Sequence, residues 1–153
     1  MVKIKEIKAK TIMKIRKSTK KLEGTRVFTS AIVMYKKKLL ILRRGEKVKF
    51  NPRAWDSVGG HLKEYETAEE NILREAKEET GLKIKILKSG RSYEIQDKYG
   101  RWIVIPFLCQ ANTYRVKLKP DEHSEYKWIS PKETKNYNCV PDIKEDLKLF
   151  GLI

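Results

Sequence analysis

The stretch from Gly59 to Leu82 constrains the fold more than any other part of the chain. Thr67 followed three residues later by Glu70 forms a capping box, acidic residues crowd the next turn, and Gly81 supplies a stop, so a helix is predicted over Ala68 to Thr80. At about 100° of rotation per residue, Glu75, Glu78 and Glu79 fall within an arc of about 100° on one side of that helix. The apolar stripe of Ala68, Ile72, Leu73 and Ala76 runs beside this arc, which aims Glu79, and Glu75 with it, towards a core. Carboxylates gathered at the edge of a core repel one another and lose hydration, and a hard divalent ion with oxygen ligands relieves both costs. Arg74 is a single guanidinium facing three acids, and its spacing allows a pair with Glu70 or Glu78. Three glutamates on a helix also suit a plain solvated face. The adjoining Gly59-Gly60 pair tips the balance, because it permits a sharp bend and lets backbone atoms approach a ligand closely.

The flanking segments read mostly as sheet. RVFTSAIVMY from Arg26 and LLILRR from Leu39 are rich in β-branched and aliphatic residues, and the turn Lys36 to Lys38 between them marks a hairpin. Gly45 to Arg53 is a polar loop, followed by a short segment from Trp55 to Val58. Two long strands are expected at Lys83 to Gln96 and Arg101 to Tyr114 around the turn Asp97-Lys98-Tyr99-Gly100, with another at Glu125 to Ile129. Ser130-Pro131 opens a short helix, and Pro141-Asp142 opens a last one through Phe150. The expected class is α/β, a mixed sheet with helices on both faces.

The segment Gly60 to Leu82 resembles the Nudix box, G-x(5)-E-x(7)-R-E-U-x-E-E-x-G-U with U a bulky aliphatic. Gly60, Glu66, Arg74, Glu75, Glu78, Glu79, Gly81 and Leu82 match in identity and spacing, and Ala76 is a small version of the first U. The resemblance implies a Nudix-type αβα sandwich around a mixed β-sheet and hydrolysis of a nucleoside diphosphate linked to another moiety. It also implies that Glu75, Glu78 and Glu79 hold catalytic Mg2+, with Mn2+ as a substitute, and that the Gly59 carbonyl adds a ligand. Arg74 and Glu66 would orient the loop and helix by ion pairing. Such ions would neutralise phosphate oxygens, acidify a water and stabilise the leaving phosphate. Glu75, Glu122 and Glu125 are the alternatives for the general base. His61 and His123 have no partner spacing typical of a metal or nucleophile site and are expected at the surface or in support.

Arg44 and Tyr99 are the candidate substrate contacts. Tyr99 is similar in position to a tyrosine that follows the box in hydrolases of dinucleoside polyphosphates, where it would stack on a base. Asp97 and Lys98 stand where many ADP-ribose pyrophosphatases carry a proline, and neither Cys109 nor Cys139 has the context of an isopentenyl diphosphate isomerase cysteine.

Size and charge set the wider frame. With 153 residues and 40% hydrophobic content the chain fits one domain with a proper core, taken here as residues 26–153 behind a basic appendage at 1–25. More than half of the net charge of +15 lies in the first 26 residues, where ten lysines and arginines face two glutamates. That excess favours polyanionic partners, so an RNA 5′-end pyrophosphohydrolase and a non-catalytic RNA-binding Nudix module stand as alternatives to a small-molecule enzyme. The appendage is also a candidate contact for a homodimer. No apolar stretch approaches the roughly 20 residues that span a bilayer, no secretory signal is evident, and the cysteines have no metal-binding spacing, so a cytoplasmic protein without a membrane partner is expected.

Overall fold

The computed structural model describes residues 25–98 and 100–153. The expected appendage at 1–25 therefore lies almost wholly outside the described residues, and so does Tyr99. The elements in chain order are β1 (Thr25–Tyr35), β2 (Lys38–Arg44), β3 (Trp55–Asp56), β4 (Val58–His61), α1 (Ala68–Thr80), β5 (Ile84–Ser89), β6 (Tyr93–Asp97), β7 (Gly100–Ala111), β8 (His123–Ile129), a 3-10 turn (Pro131–Asn136) and α2 (Pro141–Leu149).

The eight strands form one mixed sheet. Its centre is the parallel pair of β1 and β7, in register from Thr25 opposite Arg101 to Met34 opposite Gln110. Antiparallel partners flank this pair: β2 and β4 on β1, β5 and β6 on β7, and β3 and β8 on β2. The β1–β2 hairpin turns on Lys36 and Lys37, both at positive φ (46° and 66°), which matches the right-handed twist of the strands it joins.

Strand alternation divides the core into two layers. Ala31, Val33, Leu40, Leu42, Phe107 and Cys109 face α1 and pack on Ile72 and Ala76. Ile32, Leu39, Ile41 and Ile129 face the other way and pack on Ile143 and Leu147 of α2. The sandwich expected from the sequence is thus the observed fold. Leu73 departs from the expected stripe: it is exposed, and Asn71 and Glu79 occupy the buried side with Ile72 and Ala76.

The long strand expected over 83–96 is broken. β5 and β6 both pair with β7, but Gly90 separates them and donates its N–H to the Pro106 carbonyl at 2.8 Å. A Cβ at Gly90 would lie 2.4 Å from Leu149 and 2.9 Å from Pro106, so the break is where the C-terminal segment presses on the sheet.

On the α2 side, Ser30 and Tyr93 both donate to the buried Asp146 carboxylate. Burial pushes Asp146 from its ordinary 3.8 up to about 6, against the opposing effect of those two hydrogen bonds. Folded Asp146 therefore keeps its proton to higher pH than the unfolded chain does, and the stability this confers is lost as pH rises through about 6. Asp146→Asn should gain on the wild type by up to roughly 3 kcal/mol between about pH 4 and about pH 7. Urea denaturation at both pH values reads this, and parallel pH profiles would contradict it.

Candidate active site

Capping places the acidic face of α1. The Thr67 hydroxyl accepts the Glu70 N–H at 3.1 Å, and Gly81, at φ 70°, ends the helix with its N–H on the Lys77 carbonyl. Between these fixed ends Glu79 turns under the sheet, where it is 3% exposed and its Oε1 accepts the Gly59 N–H at 3.0 Å. Glu75 is half-buried beside it, while Glu78 lies on the exposed side.

One guanidinium organises the approach to the helix. Arg74 Nε and Nη2 donate to Glu66 at 2.7 and 3.1 Å, and Arg74 also pairs with Glu75 at 3.1 Å and Glu78 at 3.0 Å. The pair with Glu70 is not made. The hydrogen bonds from Arg74, and then from Asn71, hold the Glu66 carboxyl down at about 2. Asn71 also donates to the His61 carbonyl at 2.8 Å and accepts from the Thr29 hydroxyl, so it ties α1, β1 and the intervening loop together. The sequence held a signal for this residue. Asn71 sits four residues ahead of Glu75, on the same helical row as Glu75 and Glu79.

The acids are under electrostatic strain. Burial raises Glu75, opposed by Arg74, and raises Glu79 well above the carboxylate range, opposed by the Gly59 N–H and reinforced by Glu75, Asp56 and Glu122. A divalent cation fits such a donor set, because it would discharge carboxylates that the protein alone leaves costly.

Of the surface and supporting places expected for His123, the structure rules out the surface one. It is 4% exposed, and its Nδ1 lies 3.6 Å from Glu79 Oε2. Burial lowers it to about 4, so its imidazole is neutral at physiological pH. Among the described residues, Glu79, Glu122 and His123 bring one ligand atom each to within 4.8 Å of one another. Glu122 is 45% exposed and pairs with Lys119 Nζ at 3.4 Å. Glu125 does not join the cluster, because it pairs with Arg43 at 3.3 Å on β8 and does not line the cavity.

These groups open on a cavity of about 500 Å³. Glu75, Glu79, Glu122 and His123 line it next to Gly59 and Gly60, while Phe28, Phe50, Trp102 and His61 supply an aromatic wall. The Trp102 ring meets Phe28 edge-on at 5.5 Å and Phe50 at 5.2 Å, and His61 lies tilted 5.9 Å away. Arg26 stacks its guanidinium 5.1 Å from the Trp102 ring and 5.2 Å from Phe50. The aromatic wall was not read from the sequence, since its members come from β1, the 45–53 loop, β4 and β7, which only the sheet brings together. Arg44 also lines the cavity, where it donates to Asp56 at 2.9 Å and to the Phe50 carbonyl at 2.7 Å.

Compared with known families, the chain matches the NUDIX domain over residues 25–148. It belongs to that family. It is a Nudix hydrolase, an enzyme acting on phosphorus-containing anhydrides, and divalent-metal dependence is general among its members. Nucleoside triphosphatase NudI of Escherichia coli O17:K52:H18 (strain UMN026 / ExPEC) is 26% identical over 118 residues, covering 67% of this chain and 79% of that protein. The MutT protein from Methanosarcina mazei Go1 superposes with a TM-score of 0.71 at 27% identity, over 80% of this chain and 89% of the other. An Ap4A hydrolase binary complex from C. elegans shares the Nudix fold, with a TM-score of 0.67 at 19% identity over 82% of this chain and 95% of that one. No helix among the described residues is long and apolar enough to cross a membrane.

Proposed function

We propose that this Nudix hydrolase cuts a pyrophosphate bond in a nucleoside triphosphate or another nucleoside diphosphate derivative, with a divalent ion, Mg2+ or Mn2+, in its site. The observation that carries the reading is the pairing, in one cavity of about 500 Å³, of an acidic cluster with an aromatic wall. A volume of this order suits a nucleotide-sized ligand. Phe28, Phe50 and Trp102 would receive the base, and the phosphates would lie over Gly59, Gly60 and the carboxylates. The 26% identity to a nucleoside triphosphatase supports the same substrate class.

In this reading Glu75 and Glu79, which line the cavity, and Glu78, which stands paired with Arg74 on the exposed side of α1, would hold the ion, with the Gly59 carbonyl beside them. When bound, it would neutralise phosphate oxygens and lower the pKa of water. Arg74 acts through Glu66 and the helix, keeping Glu75 and Glu78 in place, and is a positioning residue. Glu122, exposed at the rim of the cluster, or Glu75 takes the proton from the attacking water. Arg44 braces Asp56 and the 45–53 loop against the substrate side of the cavity.

A second reading, removal of phosphates from RNA 5′ ends, is favoured by the ten basic residues among the first 26. We place residues 1–25, which carry nine of the ten, outside the catalytic domain, as a strand-holding or dimer-forming appendage of a cytoplasmic enzyme. A screen of nucleotides, dinucleoside polyphosphates, nucleotide sugars and triphosphorylated RNA, with every product identified, separates the readings. A nucleoside monophosphate released from a small substrate is the expected result. Turnover of RNA alone would move the assignment to the strand, and RNA binding without turnover of any compound would leave a binding module.

A further inference from the structure

We infer that His123 is a nitrogen ligand of the metal site, and that the site therefore prefers transition-metal ions such as Mn2+ to Mg2+. The inference rests on the proposed metal-dependent chemistry and adds a ligand that the glutamates of α1 do not supply. Three independent features converge on it. His123 is only 4% exposed, yet its Nδ1 has no hydrogen-bond partner among the described residues. A buried ring nitrogen without a partner is costly, and an ion is one of the few things that can satisfy it.

The backbone turns this side chain inward on purpose. On β2, Arg43 and Arg44 are consecutive, but opposite them β8 presents Glu125 and then His123, so Ser124 is an extra residue in the ladder. Such a bulge breaks strand alternation and re-aims the side chain beside it. The segment before it is anchored as well: Gly45 donates to the Glu122 carbonyl at 2.9 Å, and the N–H groups of Glu122 and His123 both reach the Lys119 carbonyl at 3.1 Å.

The third feature is distance. Metal bonds of about 2.0–2.2 Å place ligand atoms up to about 4.4 Å apart. Glu79, Glu122 and His123 already hold theirs within 4.8 Å without an ion, and Glu79 Oε2 lies 3.6 Å from the Nδ1 of His123. Mg2+ takes oxygen ligands almost exclusively, whereas Mn2+ and later ions gain from imidazole.

Mn2+ bound to protein free of added histidines is the probe, read by electron spin echo envelope modulation. Wild type and His61→Gln should show coupling to an imidazole nitrogen, and His123→Gln should lose it. The ratio of Mg2+ to Mn2+ dissociation constants should fall at least about tenfold in His123→Gln. Bound Mn2+ with only oxygen neighbours in the wild type, coupling that survives in His123→Gln, or an unchanged ratio would each overturn the assignment. The wild-type and His61→Gln spectra decide the question even if His123→Gln does not fold. Failure of the underlying reading looks different: no variant binds Mn2+ at all, which overturns both.

Discussion

Glu79→Gln should lower turnover at saturating substrate and metal by roughly 100- to 1,000-fold while the fold survives. The amide oxygen can still accept the Gly59 N–H, so the 3.0 Å contact between α1 and β4 has a replacement. What disappears is the charge. Glu79 is 3% exposed and burial raises it far above the usual carboxylate range, so removing its charge relieves the folded protein instead of weakening it. The melting temperature should therefore hold or rise as activity falls. Wild-type turnover in this variant would remove Glu79 from the chemistry, whereas a joint collapse of activity and stability would make it structural.

The two adjacent glycines should fail in different ways. A Cβ on Gly59 would lie 2.2 Å from the Thr29 carbonyl oxygen and 3.2 Å from the Ser30 Cα, inside the β1–β4 ladder. Backbone cannot step aside, so Gly59→Ala should destabilise the protein by about 3 kcal/mol or more. A Cβ on Gly60 would instead lie 2.4 Å from the carboxyl carbon of Glu75. That is the tip of a flexible side chain, and it can move. Gly60→Ala should stay within about 1 kcal/mol of wild type but lose at least about tenfold in kcat, because the displaced carboxylate leaves the cluster. Denaturant melts and steady-state kinetics on both variants check the contrast, and equal stability losses at the two positions would contradict it.

The local signals in the sequence carried far. Thr67, Glu70 and Gly81 mark the ends of α1, the hydrophobic runs mark β1, β2 and β7, and the spacing of Glu75 and Glu79 gives their inward direction. What stayed hidden depends on long-range register. The inward turn of His123 is set by a bulge opposite Arg43 and Arg44, and nothing within residues 119–125 announces it. Leu73 looked like part of the apolar stripe, yet the sheet covers the side of the helix occupied by Asn71 and Glu79. Gly90 was visible as a glycine, but the pressure of Leu149 and Phe150 on it crosses about 60 residues of chain. The aromatic wall joins four separate segments, each ordinary by itself.

The most direct measurement is turnover of the best substrate by metal-stripped protein in excess chelator, followed by titration with Mg2+ and with Mn2+. The account predicts no detectable hydrolysis until the divalent ion is in excess, and then release of a nucleoside monophosphate at a rate that saturates with the ion. Undiminished hydrolysis in the chelator would contradict it.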